Sequence, residues 1–442
     1  MTDLLAARSQ MAMSLAFHIL FAVAGMAMPL LMIISEGLWL KTQKPIYLEL
    51  AKRWSKGTAI IFAVGAVSGT ALSFELGLLW PHFMAFAGPI IGMPFSLEGF
   101  AFFFEAIFLG VYLYGWGLIH PRLHWFSGMG VLISGVMSGV FVVCANAWMN
   151  HPTGVVLDDF GQVMDIHPLE AMLNPAAPTQ VTHMVLAAFV TVGFAVAAIH
   201  ARQLLLTPKS VFHRAALKVA LFVAVPFGLI QPLSGHVSGE YVAEAQPLKL
   251  AAMEAHWETE AEAPLLVMGL VDEVAETTSF ALKIPYGLSI LAHRDPHSEV
   301  KGLKEWPAED RPPVAITHYA FDVMVGCGTF LAALAGLLVF FKLNISDIIA
   351  RKWLLKALVL SGPMGFVALE AGWVVTEVGR QPWVIRGIMR TSEAVTPMPG
   401  LVGPFLAFTL LYCVLGVVVF VLLRRHVLQA PSSDSKHEVK NA

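Results

Sequence analysis

The chain has 442 residues, of which 57% are hydrophobic and only 13% charged. Soluble domains carry about 25% charged residues, so this composition excludes a soluble globular protein and describes a polytopic membrane protein. A formal net charge of −3 with no basic block points away from nucleic acid. The three cysteines, Cys144, Cys327 and Cys413, lie in apolar segments without CxxC or CxxCH, which argues against a thiolate zinc site, covalently attached haem and a disulfide framework.

Nine apolar runs reach the ~20 helical residues needed to cross the hydrocarbon. They lie near 12–36, 55–80, 95–117, 125–148, 180–204, 214–234, 316–342, 353–377 and 401–424. The expected fold is an all-α integral membrane protein of nine transmembrane helices, without internal repeats. Helices 1–6 fill 1–234, a polar extracytoplasmic loop 235–315, and helices 7–9 316–425. A Ser-rich, charged tail over 426–442 reads as disordered. The N-terminus has no basic leader and no small-residue cleavage site, so no cleaved signal peptide is expected.

Lys and Arg concentrate in cytoplasmic connections. Lys41, Lys44, Lys52, Arg53 and Lys56 follow helix 1, and Arg202, Lys209 and Arg214 follow helix 5. Arg351, Lys352 and Lys356 follow helix 7, and Arg424 and Arg425 close helix 9. The connections after helices 2 and 4 have neither residue type. The N-terminus is therefore placed outside and the C-terminus in the cytoplasm. Arg380, Arg386 and Arg390, after helix 8, oppose this assignment, and a role in holding anionic cofactor groups would explain them.

Polar residues inside the spans come next, in chain order. Helix 1 carries His18 about two turns from its expected start. Helix 3 reads Ser96-Leu-Glu-Gly-Phe-Ala-Phe-Phe-Phe-Glu105, with Glu98 in its first turn. Glu98 and Glu105 are seven residues apart, so they share a face ~10 Å apart along the axis. A charge at the bilayer centre costs at least ~2.5 kcal/mol, and proton carriage is the natural use of a carboxyl at the depth of Glu105. Ser138 in helix 4 either extends that path or bonds its own helix backbone. Helix 5 has His183 in its first turn. His18 and His183 read as the only histidines well inside apolar spans, and no apolar helix is expected to carry two. That spacing disfavours the b cytochromes with two histidines on each of two helices, and the histidine cluster of a haem–copper site is missing.

The 235–315 segment is too long for a plain connection. Over 246–259 it has a helical pattern, with Leu248, Ala252 and Ala255 on one side and Lys249, Met253 and His256 on another. This reads as an amphipathic piece at the outer interface, or simply as a solvated loop helix. Helix 7 places Met324 about two turns in. Taken alone, one of 20 methionines is core packing; an imidazole and a thioether together are an axial pair for an electron-transfer haem, and His183 with Met324 is such a pair. Helix 8 ends in Glu370-Ala-Gly-Trp-Val-Val-Thr-Glu-Val-Gly-Arg-Gln-Pro-Trp383. Glu370, Trp373 and Glu377 share one helical face, while Gly379, Arg380 and Pro382 stop the helix. Arg380 can pair with Glu377 or with an anionic group beside it. Trp383 and Arg380 alone would make a surface anchor, which needs neither carboxylate. By helix parity His18, Glu98, His183, Met324 and Glu377 all fall in the outer part of the membrane.

The Gly-Arg-Gln-Pro-Trp that follows Glu-Ala-Gly-Trp resembles subunit I of the cytochrome bd quinol oxidases, and the resemblance extends over nearly the whole chain. It implies nine helices, three non-covalently bound haems near the outer face, and oxidation of quinol coupled to reduction of dioxygen to water. By the same resemblance His183 and Met324 are axial ligands of a low-spin haem b, and His18 and Glu377 are ligands in a high-spin pair. That pair is one haem b and one haem d, or a further haem b in place of haem d; Glu98 is another group beside it. Trp373 resembles a tryptophan lying between haems. Lys249 and Glu254 match residues that hydrogen-bond the quinol and take its proton, and Glu105 and Ser138 match a proton path. Where some members have Arg two residues before the axial Met, this chain has Asp322, and its loop is of the short kind. A multi-span second subunit is implied, and some members add a small single-helix subunit. The resemblance also implies a bacterial inner membrane, bulk lipid contact, and a proton gradient built without a pump. A transporter or a purely electron-transferring haem subunit are the competing classes on the residues alone.

Overall fold

The computed structural model describes residues 1–427; most of the tail expected over 426–442 lies outside the described residues. Nine long apolar helices form among the described residues, each at least as long as the apolar run that announced it. They are helix 1 (Asp3–Thr42), helix 2 (Pro45–Leu79), helix 3 (Pro81–Tyr114), helix 4 (Pro121–Asn150), helix 5 (Ala177–Leu206), helix 6 (Val211–Ala245), helix 7 (Val314–Phe340), helix 8 (Lys352–Val378) and helix 9 (Val402–His426). Local start signals explain the extra turns. Pro45, Pro81 and Pro121 occupy first-turn positions, where a missing N–H costs nothing. The Thr2 hydroxyl accepts from Leu5 N at 3.3 Å to cap helix 1.

Three boundaries differ from the sequence expectation. Helix 1 starts at Asp3, so His18 lies about four turns in rather than two. Helix 3 starts at Pro81, keeps Pro89 and Pro94 inside it, and reduces the connection after helix 2 to Trp80. Glu98 is thus mid-helix, not in a first turn. Helix 6 runs on to Ala245, so the polar segment begins at 246 rather than 235. Apolar length marks the part of each helix that lipid requires; capping and packing carry the helix further.

The main core is built from helices 1, 5, 6, 7 and 8, around Leu31, Met32, Phe194, Leu217, Leu334 and Leu358. Helices 3 and 9 expose Phe100, Phe103, Phe104, Leu406, Leu410 and Val417, as lipid-facing or partner-facing surfaces do. A second apolar cluster lies at one end of the bundle. There Leu79, Trp80, Phe83, Ile90 and Ile91 meet Trp148, Ile385 and Ala394. This end carries the segments 151–176, 246–313 and 379–401 and is called the loop-bearing end below.

The 246–313 segment is small antiparallel ladders rather than an extended amphipathic helix. Leu265–Val267 pairs with Leu282–Ile284, and Leu270–Asp272 with Thr277–Ser279. Its helix covers only Pro247–Met253, and Ala255 turns away at a φ of 47°. Lys249, Met253 and His256, one side of the expected amphipathic pattern, are all buried. The 246–259 pattern therefore packs into the protein and does not float at an interface. Ion pairs of Arg294 with Glu240 and of Arg390 with Asp310 tie the segment to helix 6 and to the chain after helix 8.

Candidate functional site

At the loop-bearing end the chain draws helices 4 and 8 and the 247–253 helix into one polar network. Glu377 sits in the last turn of helix 8, where Gly379 ends the helix. Its Oε1 accepts from the Asn146 amide, and its Oε2 accepts from Arg380 Nη2 at 2.6 Å. Asn150, one turn along helix 4, donates to Asn146 O at 3.0 Å and accepts from Lys249 Nζ at 2.5 Å. Arg380 is only 4% exposed, yet its Nε and Nη1 have no partner. A buried N–H without a partner is costly, so these two N–H groups call for a second acceptor. The network thus joins the loop to the helix-8 carboxylate through Lys249, Asn150 and Asn146.

His18 stands on helix 1 against helix 2. The Ser68 hydroxyl donates to Val64 O at 2.9 Å, so it accepts from His18 Nδ1–H at 3.0 Å. That fixes the tautomer and leaves Nε2 as a bare lone pair, the state in which an imidazole binds a metal. A Cβ on Gly69 would lie 2.8 Å from the His18 ring, so only glycine admits the ring there. The same device recurs on helices 5 and 6. Ser234 donates to Gln231 O at 2.8 Å and receives His183 Nδ1–H at 2.9 Å. The Gln231 amide nitrogen approaches His183 Nε2 at 3.3 Å. Met324, on helix 7, points its sulfur at Gly372 of helix 8, 3.1 Å from where a Cβ would stand. These four helices pack on one another.

Glu98 and Glu105 both face helix 4, as their spacing predicts. Ser138 donates to Glu98 at 3.4 Å, so this hydroxyl reaches across to helix 3. The Glu105 carboxyl lies against Gly135, 3.2 Å from where a Cβ would be, and is buried. Glu370 keeps one buried oxygen without a partner, and the half-buried Trp373 packs on the main core.

Lys249 and Glu254 face different neighbours. Lys249 points to Asn150 and, at 3.4 Å, to Thr376 O; burial and the nearby Arg380 guanidinium push its pKa down to about 7. Glu254 looks toward helix 7, where burial and the Asp322 charge push its pKa up to about 8. Asp322 accepts from Met268 N at 3.0 Å and stands 3.5 Å from His318 Nε2, so it fastens the loop to helix 7. His318 is fully buried, with Nδ1 2.8 Å from Met253 O.

The histidine expectation needs correcting. Helices 4 to 7 also carry His124, His200, His213, His236 and His318, and helix 5 holds two, His183 and His200. His200 Nδ1 faces His213 Nδ1 at 2.9 Å, so that ring is engaged within the protein. Sequence reasoning also passed over Asn146, Asn150, Ser68, Ser234, Gln231 and His318. The Asn146/Asn150 pair, one turn apart in an apolar run, was a readable signal. A serine in a membrane helix gives none, because bonding to its own backbone is its ordinary state.

The sequence matches the family model described as cytochrome bd terminal oxidase subunit I over residues 6–431. It is 36% identical to the putative cytochrome bd menaquinol oxidase subunit I of Bacillus subtilis, across 96% of this chain and 98% of that protein. It is 29% identical to the cytochrome bd-II ubiquinol oxidase subunit 1 of Escherichia coli, across 96% of this chain and 95% of that one. Among solved structures, the bd oxidase from Geobacillus thermodenitrificans matches at a TM-score of 0.92 and 40% identity, covering 97% of this chain and 99% of that one.

Proposed function

The chain belongs to the family of cytochrome bd terminal oxidase subunit I, and from that premise we propose that it oxidises quinol at the loop-bearing end and delivers the electrons to dioxygen. Membership makes it a multi-span subunit of a bacterial respiratory oxidase in the cytoplasmic membrane, working with a subunit II. Haem is the cofactor the family implies. The residues fit it: the His18 imidazole is held with Nε2 bare, the His183 ring is held by Ser234 with only the Gln231 amide near its Nε2, a thioether lies against a glycine, and a buried guanidinium has two free N–H groups suited to a propionate.

In this reading His183 and Met324 hold a low-spin haem b, and His18 and Glu377, with Glu98 nearby, hold a high-spin pair of haem b and haem d or a second haem b. When bound, these groups supply electron transfer and oxygen chemistry. The protein's own residues do the rest. Arg380 and Asn146 hydrogen-bond the two oxygens of Glu377 and orient it. Lys249 and Glu254, with pKa values near neutrality, change protonation as quinol gives up its protons. Glu105, Ser138 and Glu98 line one helix 3–helix 4 seam along which protons reach the oxygen site. With the loop-bearing end and the N-terminus outside, quinol protons are released outside and those for water come from the cytoplasm, so charge separates without a pump.

The observation that carries this reading is Arg380, buried beside Glu377 with two unpartnered N–H groups. Optical spectra of the purified complex test it. A chlorin band with CO binding is the expected outcome, a low-spin haem alone would mean electron transfer without oxygen chemistry, and no haem at all would end the proposal.

A further inference from the structure

Helices 1, 2 and 9 enclose a polar centre that shares no residue with the groups above. Gln10, Ser14, Glu75 and Tyr412 are buried, none more than 3% exposed. The Gln10 amide donates to Glu75 Oε1 at 3.1 Å. Ser14 is in side-chain contact with both the Glu75 carboxyl and the Tyr412 phenol, but neither contact has the geometry of a full hydrogen bond, and Gln10 Oε1, Ser14 Oγ, Glu75 Oε2 and Tyr412 OH are left unsatisfied by it. Each buried polar atom left bare costs about 1–3 kcal/mol, so four at one spot indicate a missing occupant.

The four atoms specify its chemistry. Gln10 Oε1 and Glu75 Oε2 accept, while Ser14 and Tyr412 carry hydroxyl protons to give. A water molecule donates two hydrogen bonds and accepts two, which is the complement of this set. A metal cation would suit the four oxygens but would leave both hydroxyl protons without an acceptor.

Position gives the occupant a use. Gln10, Ser14 and His18 follow at successive turns of one face of helix 1. On helix 2, Glu75 stands two turns from Ser68, which holds the His18 ring. The two stripes run from His18 toward the loop-bearing end, and helix 2 ends ~6 Å beyond Glu75. We propose that Gln10, Ser14, Glu75 and Tyr412 bind an ordered water and form the first station by which water made at the His18 site leaves toward the loop-bearing face. The exit role rests on His18 serving the oxygen-reducing centre; the water site does not.

The test is redox-induced infrared difference spectroscopy of the purified holoenzyme in ordinary and in 18O-labelled water. An O–H stretching band that shifts with the label should be present, and should vanish in Ser14→Ala and Tyr412→Phe, which each delete one atom and keep wild-type haem content. Glu75→Gln should lose the band as well and slow steady-state oxygen consumption several-fold. Label-insensitive spectra, or a band that survives in all three variants, overturn the water site. A band that follows added sodium or potassium instead of the label overturns it in favour of a cation. Wild-type turnover in Glu75→Gln with the band gone overturns the exit role. Should His18→Ala keep its high-spin haem while the labelled band persists, the functional reading of His18 fails and the water site stands.

Discussion

Two carboxylate regions of this molecule solve the membrane's charge problem in opposite ways. Glu377 has a guanidinium at 2.6 Å and an amide on its other oxygen, and Lys249 is joined to it through Asn150 and Asn146. Glu105 has a glycine surface beside it, and the Glu98 it shares a face with has one serine hydroxyl at 3.4 Å. A buried charge persists when it is paired and hydrogen-bonded; otherwise a proton neutralises it. The first arrangement therefore suits a fixed anionic ligand, and the second a group that takes up and gives away protons. Residue type is the same in both places, and surroundings assign the role.

The comparison can be broken most severely at its charged end. Arg380→Ala leaves the partly exposed Glu377 without its cation, and losing a hydrogen bond to a charged group costs about 1.5–3 kcal/mol. Thermal unfolding should show the loss, and the high-spin haem content of the purified complex should fall with it. An unchanged complex would mean that Asn146 alone sustains Glu377. At the uncharged end, Glu105→Gln keeps volume and hydrogen bonding but removes the exchangeable proton. Positioned proton transfer contributes about 10²–10⁴-fold, so oxygen reduction should slow by at least tenfold at a proton-coupled step. Haem content should stay normal and reduction by quinol fast. If the high-spin spectrum changes instead, Glu105 supports a haem and the contrast with Glu377 disappears.

Lys249 and Glu254 sharpen the comparison, because each sits on one side of the loop. Lys249→Ala or Glu254→Ala should impair quinol oxidation roughly tenfold while dithionite still reduces every haem. The pH profile of quinol oxidation should show transitions near 7 and 8. Glu254→Gln should remove the upper transition and Lys249→Met the lower. The stability signs are opposed. Between about 4 and 8 folded Glu254 holds a proton that the unfolded chain has lost, so its contribution falls as pH rises through that window. Between about 7 and 10 the unfolded chain keeps a proton that folded Lys249 has released, so the Lys249 contribution grows with pH. The smallest effect concerns Met324→Leu, which replaces a thioether that favours the reduced state. A spectroelectrochemical titration should show the low-spin band moving to lower potential while the high-spin pair persists; a band that does not move rules Met324 out as a ligand.

By itself the sequence determined nine helices, their order, and the stripes Glu98/Glu105 and Glu370/Trp373/Glu377. Those features depend on hydrophobic length and on a 3.6-residue period, both of which are local. Local reading erred where neighbours along the chain were the wrong neighbours to consult. Helix 3 runs through two prolines because its first turns pack against residues near Ile385 and Ala394, some three hundred positions away. The 246–259 pattern has the right period but folds inward, since helices 4, 7 and 8 offer Lys249, Met253 and Glu254 a buried place that an isolated amphipathic segment lacks. Which serine fixes which histidine, and which amide meets Glu377, follow from contacts 50 to 231 residues apart in the chain. Such pairings leave no period in the sequence; only the packing of one helix on another brings the partners within hydrogen-bond reach.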